Sequence, residues 1–278
     1  PVRVGLIGAG KFGSMFLSQV PTIAGIEVTA IAELDHARMV TACTAVGWDT
    51  ARIDTLSYEE SGAELAKRDD VDIVIEATGN PRAGTEHALA AIEAGKHVVM
   101  VNVEADVMVG PLLAQMARAQ GVCYSMAYGD QPALVSEMVD WARATGFDIT
   151  AAGKGTKYLP IYHTVTPDNV WDYYGLSADQ ALAAGMNPQM FNSFLDGTKS
   201  AIEMVAIANA CGLDVPASGL SFPPCGVDDL AHVLRPKEFG GQLEKRGMVE
   251  TISSLERDGR DVFRDLRWGV YVVFEATN

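Results

Sequence analysis

Two lysines in a short glycine-rich segment are the first candidates for chemistry in this chain. Residues 153–158 read GKGTKY and follow an apolar run that predicts a β-strand. A flexible loop that carries two ammonium groups and a hydroxyl is suited to bind a phosphate or another oxyanion. We therefore predict that Lys154 and Lys157 are catalytic residues that bind a phosphate or stabilise oxyanion charge.

A second group of charged side chains lies farther along the chain. The apolar spacing over residues 188–212 predicts one helix, and such a helix would place Asp196, Lys199 and Glu203 on one face. A lysine beside a carboxylate can move a proton or polarise a carbonyl, because desolvation and a charged neighbour both shift its pKa. The alternative is a surface ladder of salt bridges. We interpret Lys199 and Asp196 as a catalytic proton-transfer pair, and Gly197 as a point where the backbone approaches a ligand.

A glycine pattern near the start of the chain predicts a third site. Residues 8–13 read GAGKFG, follow the apolar run VRVGLI and open a segment with helical periodicity. In such a turn the glycines allow a tight bend, close approach to a pyrophosphate and close packing of helix on strand. Glu33 ends the next predicted strand, about 20 residues further on, which is the spacing of a ribose-hydroxyl ligand. The predicted dinucleotide-binding residues here are Gly8, Gly10, Lys11, Phe12, Gly13 and Glu33.

Two later predicted strands also end in polar residues. Thr78 and Gly79 follow the run 71–76, and Asn102 follows the run 97–101. Parallel strands end at one edge of a sheet, so we predict that these three residues bind the nicotinamide end of the dinucleotide. The alternative is that Thr78 and Asn102 only cap helices.

The order of the elements predicts the fold class. Apolar runs alternate with helical patterns, which indicates an α/β protein. We assign residues 1–145 to a Rossmann domain with a doubly wound parallel sheet, and residues 146–278 to a second, α+β domain for catalysis, substrate binding and oligomerisation. In the second domain, strand-like runs at 248–255 and 262–266 around a hairpin turn, with a further strand at 270–274, predict a mainly antiparallel sheet.

Composition excludes several classes of function. The formal net charge of −15 argues against nucleic acid and anionic membranes as partners. Four scattered cysteines without CxxC spacing indicate reduced thiols, and we read no signal peptide or membrane-length apolar run. We therefore expect a cytoplasmic enzyme, assign no metal ligand and leave the metal requirement open. The sequence starts within the first strand at Pro1, so we expect its true beginning to be missing.

Segments from nearly the whole chain resemble a known enzyme family. They read GLIGAGKFG, ATGNP, GKHVVMVN, YGDQPAL, KGTKYLP, GMNPQMFNSFLDGTKSAIEM, FPPCGVDD and SSLERDGRDVFRDLRWGVYVVFE. Together they resemble the deoxyxylulose-phosphate reductoisomerase-like (DRL) oxidoreductases, a branch of the homoserine-dehydrogenase-like NAD(P)-binding group.

The resemblance carries expectations about activity and assembly. It implies an NADPH-dependent enzyme that converts 1-deoxy-D-xylulose 5-phosphate, a phosphorylated sugar, to 2-C-methyl-D-erythritol 4-phosphate in the non-mevalonate route to isoprenoids. It also implies a homo-oligomer. Members of the family extend past the point where this chain stops, so we expect the second domain to be incomplete at its C-terminus.

Two features depart from what the resemblance implies. Homoserine dehydrogenases carry a lysine after the asparagine that ends the equivalent strand, whereas Val103 and Glu104 follow Asn102 here, which argues against homoserine oxidation. Glu33 repels a 2′-phosphate and so favours NAD(H), although Arg38 could bind that phosphate. We predict NADP(H) as the favoured coenzyme and NAD(H) as a possible one.

Two other functions remain open from the sequence. One is an NAD(P)-dependent dehydrogenase or oxidoisomerase that acts on a sugar acid or a homoserine-like substrate. The other is a dinucleotide-binding protein without catalytic activity, because a shared fold does not fix function.

Overall fold

The computed structural model describes residues 1–276, which divide into two compact units. The first unit is Pro1–Tyr128, and the second begins at Gly129. The sequence analysis placed this division after residue 145. The difference is the helix Gln131–Ala144, whose Val135 and Val139 belong to a hydrophobic core of the second unit. An amphipathic pattern shows that a helix has an apolar face, but not which core that face joins.

The first unit alternates strands with helices. Its strands are β1 (Val2–Ile7), β2 (Ile26–Ala32), β3 (Ser57–Glu59), β4 (Ile73–Glu76), β5 (His97–Met100) and β6 (Tyr124–Met126). Its helices are α1 (Lys11–Gln19), α2 (His36–Ala45), α3 (Thr50–Ile53), α4 (Gly62–Ala66), α5 (Pro81–Glu93) and α6 (Val103–Ala119). Within the described residues the six strands form a parallel sheet in the order β3-β2-β1-β4-β5-β6. This order confirms the predicted doubly wound Rossmann topology.

Strand β1 at the centre of this sheet is buried on both faces. Leu6 packs in one hydrophobic core and Ile7 in another, because successive strand residues point to opposite faces. Burial on both faces is usual for parallel sheets, whose crossover helices cover them. The two cores therefore fix the end of β1, from which the glycine turn begins.

A strand of three residues precedes helix α4 in the chain. Residues Ser57–Glu59 form strand β3, which pairs with β2 at Ala30. The helix α4 begins only at Gly62, where the side chain of Ser61 accepts a hydrogen bond from the N–H of Glu64. A strand of three residues is too short to show a period in the sequence.

The second unit combines helices with a small mixed sheet. Its elements are α7 (Gln131–Ala144), β7 (Phe147–Thr156), α8 (Val170–Tyr174), α9 (Ala178–Ala183), α10 (Pro188–Leu195), α11 (Thr198–Cys211), α12 (Leu230–Val233), β8 (Met248–Ser253) and β9 (Val270–Ala276). In the part of the chain that the structure describes, β7 pairs in parallel with β8 and antiparallel with β9. The unit is α+β as predicted, but its sheet is not mainly antiparallel.

The predicted hairpin strand at residues 262–266 does not form. After β8, a single antiparallel bridge joins Leu255 to Asp261. Arg264 adopts a positive φ of 50°, which is incompatible with an extended strand. Asp265 instead bridges to Gly226, so the segment pairs with a distant loop.

The helix predicted over residues 188–212 is two helices. Helix α10 ends at Leu195 with Asp196 as its C-cap, and α11 begins at Thr198. Gly197 between them has a φ of 90°, a left-handed conformation that glycine adopts without steric cost. A Cβ at this position would also lie 3.2 Å from the ring of His163. Local conformation and packing therefore account for this glycine by themselves, and the approach of a ligand to it stays a prediction.

Helix length bears on membrane insertion. Helix α6 has 17 residues, whereas an apolar span of about 20 residues is needed to cross a bilayer. Across residues 1–276 we find no helix with both the length and the hydropathy of a membrane span.

Candidate active site

The glycine turn of the first unit leaves open space beside Gly10. Gly8 has a φ of 93°, and a Cβ on Gly13 would collide with the carbonyl oxygen of Gly8. A Cβ on Gly10, by contrast, would meet no atom of the described residues within 4 Å. Folding therefore requires the first and third glycines, whereas the second keeps a surface clear for a ligand. This is the arrangement that close approach of a pyrophosphate needs.

A cleft of about 430 Å³ extends from this turn along the ends of the strands. Gly10 caps α1, and among the described residues no side chain caps this helix end. The N–H groups of its first turn, at Lys11, Phe12 and Gly13, are thus suited to bind phosphate. The cleft is lined by Ile7, Gly8, Gly10, Ala32, Glu33, Leu34, Arg38, Glu60, Ser61, Gly62, Ala77, Thr78, Asn80, Ala83 and His87.

Glu33 is held rigidly at the end of β2. Its carboxylate accepts hydrogen bonds from the backbone N–H of Ala9 at 2.9 Å and of Leu34 at 3.0 Å. The Nε atom of Arg38 lies 3.6 Å from Glu33 Oε1, and the Arg38 side chain is 61% exposed. One wall of the cleft therefore presents a fixed carboxylate with an adjustable guanidinium beside it.

The polar residues after β4 and β5 form one hydrogen-bonded group. The side chain of Asn102 caps α6 by accepting from Ala105 N at 3.1 Å, and its Nδ2 donates to the carbonyl of Asn80 at 2.8 Å. Asn102 is 2% exposed and is absent from the lining of the cleft, whereas Thr78 lines it. Gly79 has a φ of 70°. Asn102 thus caps a helix, which is the alternative that the sequence analysis left open. Thr78 does not cap a helix in this way, and its hydroxyl donates to Glu76.

The sequence analysis missed His87, which lines the cleft, and the buried Glu76, which contacts two of its lining residues. Glu76 is the last residue of β4 and is fully buried. Its Oε1 accepts from Thr78 Oγ1 at 2.6 Å and lies 3.1 Å from His87 Nδ1. The sequence gives no local pattern for this contact. A glutamate at the end of a strand and a histidine on the following helix come together only when the helix packs against the sheet.

Lys154 belongs to a buried charged cluster in the second unit. It is 7% exposed, and its Nζ forms an ion pair with Glu203 Oε2 and donates to Gln131 Oε1 at 3.0 Å. Lys199 Nζ lies 3.9 Å from the other carboxylate oxygen of Glu203. Two ammonium groups thus share one carboxylate, and a neutral amide also holds the inner ammonium. We call these four side chains the Lys154 cluster.

The expectation of a flexible cationic loop at residues 153–158 is wrong. Lys154 lies within strand β7, paired in register with Thr251. A Cβ on Gly153 or Gly155 would collide with the backbone carbonyl of Glu250 or Leu266. These glycines are therefore needed for close packing and not for flexibility.

The extended backbone also separates the two lysines of this segment. Residues three apart on a strand point to opposite faces, and Lys157 directly follows β7. Its Nζ lies 5.9 Å from the centroid of the Tyr162 ring, and it is absent from the lining of the pocket that contains Lys154. The structure does not bring Lys154 and Lys157 together.

Asp196 does not accompany Lys199 as we predicted. Its carboxylate accepts from Asn192 Nδ2 and from the backbone N–H of Thr198, both at 2.8 Å. It thus stabilises the junction of α10 and α11. Because the helix breaks at Gly197, the i, i+3 relation that was to align Asp196 with Lys199 does not hold, and Glu203 takes the place of Asp196 beside Lys199.

A pocket of about 260 Å³ opens onto the Lys154 cluster. Arg267 adds a third cation to its lining, and Nε of this residue donates to Ser254 Oγ at 2.9 Å. Trp268, which is 87% exposed, also lines it. The lining thus holds three cations and the carboxylate of Glu203, and Arg267 Nη2 also forms an ion pair with Asp261 at 2.8 Å. The remaining lining residues are Gly155, Thr156, Phe194 and Ser200.

Two other polar residues of the second unit, Cys225 and His163, lie outside the Lys154 cluster. Burial raises the pKa of the Cys225 thiol to about 11, so this cysteine is a poor nucleophile near neutral pH. The ring Nδ1 of His163 lies 2.7 Å from the carbonyl of Asp196. Over the described residues, no group of three His, Cys, Asp or Glu side chains is arranged to hold a metal ion.

Two family models together match almost the whole chain. The model "Oxidoreductase family, NAD-binding Rossmann fold" (Gfo/Idh/MocA) matches residues 2–128. The model "Oxidoreductase DRL, catalytic domain" matches residues 129–278. The boundary between the matches coincides with the division of the structure into its two units.

Curated relatives match only parts of the chain. Inositol 2-dehydrogenase 3 of Saccharopolyspora erythraea is 36% identical over 98 residues, which are 35% of this chain and 26% of that protein. The 1-deoxy-D-xylulose 5-phosphate reductoisomerase of Acinetobacter baumannii (strain AYE) is 44% identical over 66 residues, which are 24% of this chain and 16% of that protein. The matched parts thus span about a quarter or less of these two relatives.

Two solved structures are similar to part of this chain at low identity. Biliverdin reductase from Synechocystis, in complex with biliverdin and NADP+, has 21% identity and a TM-score of 0.40, over 57% of this chain and 48% of that one. An NAD binding oxidoreductase from Klebsiella pneumoniae has 22% identity and a TM-score of 0.42, over 58% and 44%. The match to the DRL catalytic domain covers more than half of the sequence, and the chain therefore belongs to the oxidoreductase DRL family.

Proposed function

We propose that this protein is an NAD(P)H-dependent reductoisomerase that converts 1-deoxy-D-xylulose 5-phosphate to 2-C-methyl-D-erythritol 4-phosphate. The observation that carries the proposal is the Lys154 cluster, in which the buried Lys154 and the partly exposed Lys199 share one buried carboxylate in the lining of a pocket. Membership of the DRL family and the local identity to a reductoisomerase support it.

The first unit fits a nicotinamide dinucleotide. The clear space beside Gly10, the uncapped start of α1 and the acidic end of β2 are the features that such a ligand needs. When bound, the reduced coenzyme supplies a hydride. In this proposal Gly8, Gly10, Lys11, Phe12 and Gly13 bind the pyrophosphate, Glu33 and Arg38 bind the adenosine ribose, and Thr78 and Gly79 contact the opposite half of the coenzyme. Asn102 would not contact the coenzyme in this proposal. Its Nδ2 donates to the carbonyl of Asn80 and so stabilises the turn that contains Thr78.

The second unit supplies groups for proton transfer and charge stabilisation. Rearrangement of a ketose phosphate develops negative charge on oxygen, and reduction of the resulting aldehyde takes up one proton. Lys154 and Glu203 are within hydrogen-bond reach of each other, so a proton can pass between them and a substrate oxygen. Lys199 and Arg267 line the same pocket and would bind an anionic group of the substrate.

We propose NADP(H) as the preferred coenzyme and Arg38 as the ligand of its 2′-phosphate. Arg38 is largely exposed and only loosely paired with Glu33, so its guanidinium can turn to a phosphate at small cost. Glu33 would still accept a hydrogen bond from a ribose hydroxyl of NAD(H), which makes that coenzyme an accepted second choice.

Substrate-dependent oxidation of NADPH, with identification of the product, tests this function. We expect nicotinamide absorbance to fall when 1-deoxy-D-xylulose 5-phosphate is added, and the product to carry the branched carbon skeleton. The dephosphorylated sugar is the matched control and should react far more slowly. Binding of NADPH without turnover of this substrate would contradict the proposal.

A second candidate is a dehydrogenase that acts on a cyclic polyol or a sugar. The Rossmann-domain match and the 36% identity to an inositol dehydrogenase favour it. It requires the same proton-transfer groups but no rearrangement. Reduction of NAD+ by a polyol, with the carbon skeleton unchanged in the product, would support this function instead. A homo-oligomer and a cytoplasmic location remain predictions of the sequence.

A further inference from the structure

Three uncharged polar side chains line the pocket at the Lys154 cluster and have no role in the proposed function. They are Gln131, Thr156 and Ser200. An amide and two hydroxyls can donate hydrogen bonds as well as accept them, and none of these groups titrates near neutral pH. What they offer to a ligand is therefore independent of pH in this range.

Some of their hydrogen-bonding groups are unused. Oε1 of Gln131 accepts from Lys154 Nζ at 3.0 Å, and the Nε2 group is the other end of the same amide. Within residues 1–276, neither this Nε2 nor the hydroxyls of Thr156 and Ser200 hydrogen-bond to another group of the protein. Ser200 is only 2% exposed. A polar group that is shielded from water and has no partner costs free energy, so a ligand that supplies the partner gains affinity.

The fold places these three groups beside the charges of the cluster. Thr156 lies two residues after Lys154 on β7, so both side chains point to the same face of the sheet. Ser200 and Glu203 are three residues apart on α11 and therefore lie on one side of that helix. Gln131 contacts Lys154 directly. A ligand at the cluster is thus within the reach of uncharged groups from three elements.

Charge and volume limit the ligand further. The pocket of about 260 Å³ is slightly below the usual range for small-ligand sites, about 300–1,000 Å³, so it suits a short carbon chain. Lys199 and Arg267 in its lining favour an anionic group. Cations alone do not distinguish a hydroxylated anion from an alkyl one. Buried groups that hydrogen-bond a hydroxyl do, because an analogue without that hydroxyl leaves them unpaired.

We propose that Gln131, Thr156 and Ser200 are specificity-determining residues that bind hydroxyl or carbonyl oxygens of the substrate. The ligand class is then a short phosphate ester with several oxygen substituents on its carbon chain, and not an alkyl phosphate. This inference rests on the proposed function, because it assigns the pocket to the substrate.

Equilibrium binding of two probes to the whole chain tests the inference. Xylitol 5-phosphate and pentyl phosphate carry the same charged group on a five-carbon chain, but only xylitol 5-phosphate has hydroxyls. Neither probe can be reduced, so NADPH can be present without turnover. By isothermal titration calorimetry, we expect the wild-type chain to bind xylitol 5-phosphate about tenfold more tightly than pentyl phosphate.

Three variants assign this preference to the proposed residues. Gln131→Leu, Thr156→Val and Ser200→Ala each remove a polar group at similar volume. Each should weaken binding of xylitol 5-phosphate by about fivefold and leave that of pentyl phosphate within about twofold. The matched control is Ser193→Ala on α10, because the Ser193 hydroxyl donates to the carbonyl of Met190 and does not line the pocket. It should change neither affinity.

Two results would overturn the inference. One is a wild-type chain that binds both probes equally well. The other is an equal loss for both probes in the folded variants, which would mean that these residues only support the cations. If one variant does not fold, as shown by its melting curve, the other two decide.

Failure of the proposed function gives a different result. In that case 1-deoxy-D-xylulose 5-phosphate causes no oxidation of NADPH, while xylitol 5-phosphate is still preferred over pentyl phosphate. That combination would contradict the reductoisomerase activity and support the assignment of the three polar residues.

Discussion

The two candidate sites are built in different ways. The cleft of the first unit is formed mainly by backbone at strand ends, where glycines and a helix N-terminus leave space and N–H groups for a ligand. The pocket of the second unit is lined by charged side chains from β7 and α11, by Arg267 and by the amide of Gln131 on α7. The first site is thus suited to bind a phosphate through backbone N–H groups, whereas the second has groups suited to acid–base chemistry. Variants should therefore affect binding in the first unit and turnover in the second.

The largest effect is expected from the buried lysine of the Lys154 cluster. Lys154→Gln removes the ammonium group but keeps a donor for Glu203, which also retains Lys199 at 3.9 Å. We expect kcat to fall by about a hundredfold or more, as for loss of a general acid. Steady-state kinetics with a melting curve as the folding control measures this. Near-normal kcat in a folded variant would remove Lys154 from the chemistry.

The matching change in the first unit is Gly10→Ala. The new Cβ meets no described atom within 4 Å, so the melting temperature should stay close to that of wild type. The methyl group would occupy the space of the pyrophosphate, and we expect NADPH affinity to fall by about tenfold or more. A titration of NADPH fluorescence measures this. Unchanged affinity would mean that no ligand closely approaches Gly10.

A smaller effect is expected at the adenosine end of the same cleft. Arg38→Ala removes the guanidinium beside Glu33, and the preference for NADPH over NADH in kcat/KM should fall by about tenfold. The kcat/KM for NADH itself should change little, which is the internal control. An unchanged ratio would argue that Arg38 does not bind the 2′-phosphate.

The smallest effect is expected from Lys157, the second lysine of the same segment. The sequence assigned it to substrate binding, but it lies against Tyr162 and outside the pocket. Lys157→Ala should therefore change kcat and KM for the phosphorylated substrate by less than about twofold. A clear rise in KM would support the original assignment and would show that the binding surface extends beyond the Lys154 cluster.

The first site depends on local backbone features and the second on side chains from distant segments, and this difference explains what the sequence could predict. The positions of the glycine turn and of Glu33 at strand ends were predictable because backbone conformation and strand periodicity leave a local pattern in the sequence. The ion pair of Lys154 with Glu203 was not, because it joins residues 49 apart in the chain. The strand at Lys154 was also misread, since its flanking glycines resemble a loop until the close approach of Glu250 and Leu266 is known.

The error at Asp196 has a different physical cause. Its spacing to Lys199 fitted one helix, but Gly197 adopts a left-handed backbone that ends α10 and starts α11. A single glycine within an apolar helical pattern is compatible with one continuous helix and with two helices that are separated at the glycine. The packing of Gly197 against His163 is a tertiary contact that no local pattern reports.

The most direct test of the central claim is a crystal structure of the protein with NADPH and 1-deoxy-D-xylulose 5-phosphate bound. The account predicts a substrate oxygen within hydrogen-bond distance, about 3 Å, of Lys154 Nζ or Glu203, and an anionic group of the substrate at Lys199 or Arg267. A substrate bound at Lys157 and Tyr162, with the Lys154 cluster free of contacts to it, would contradict the account.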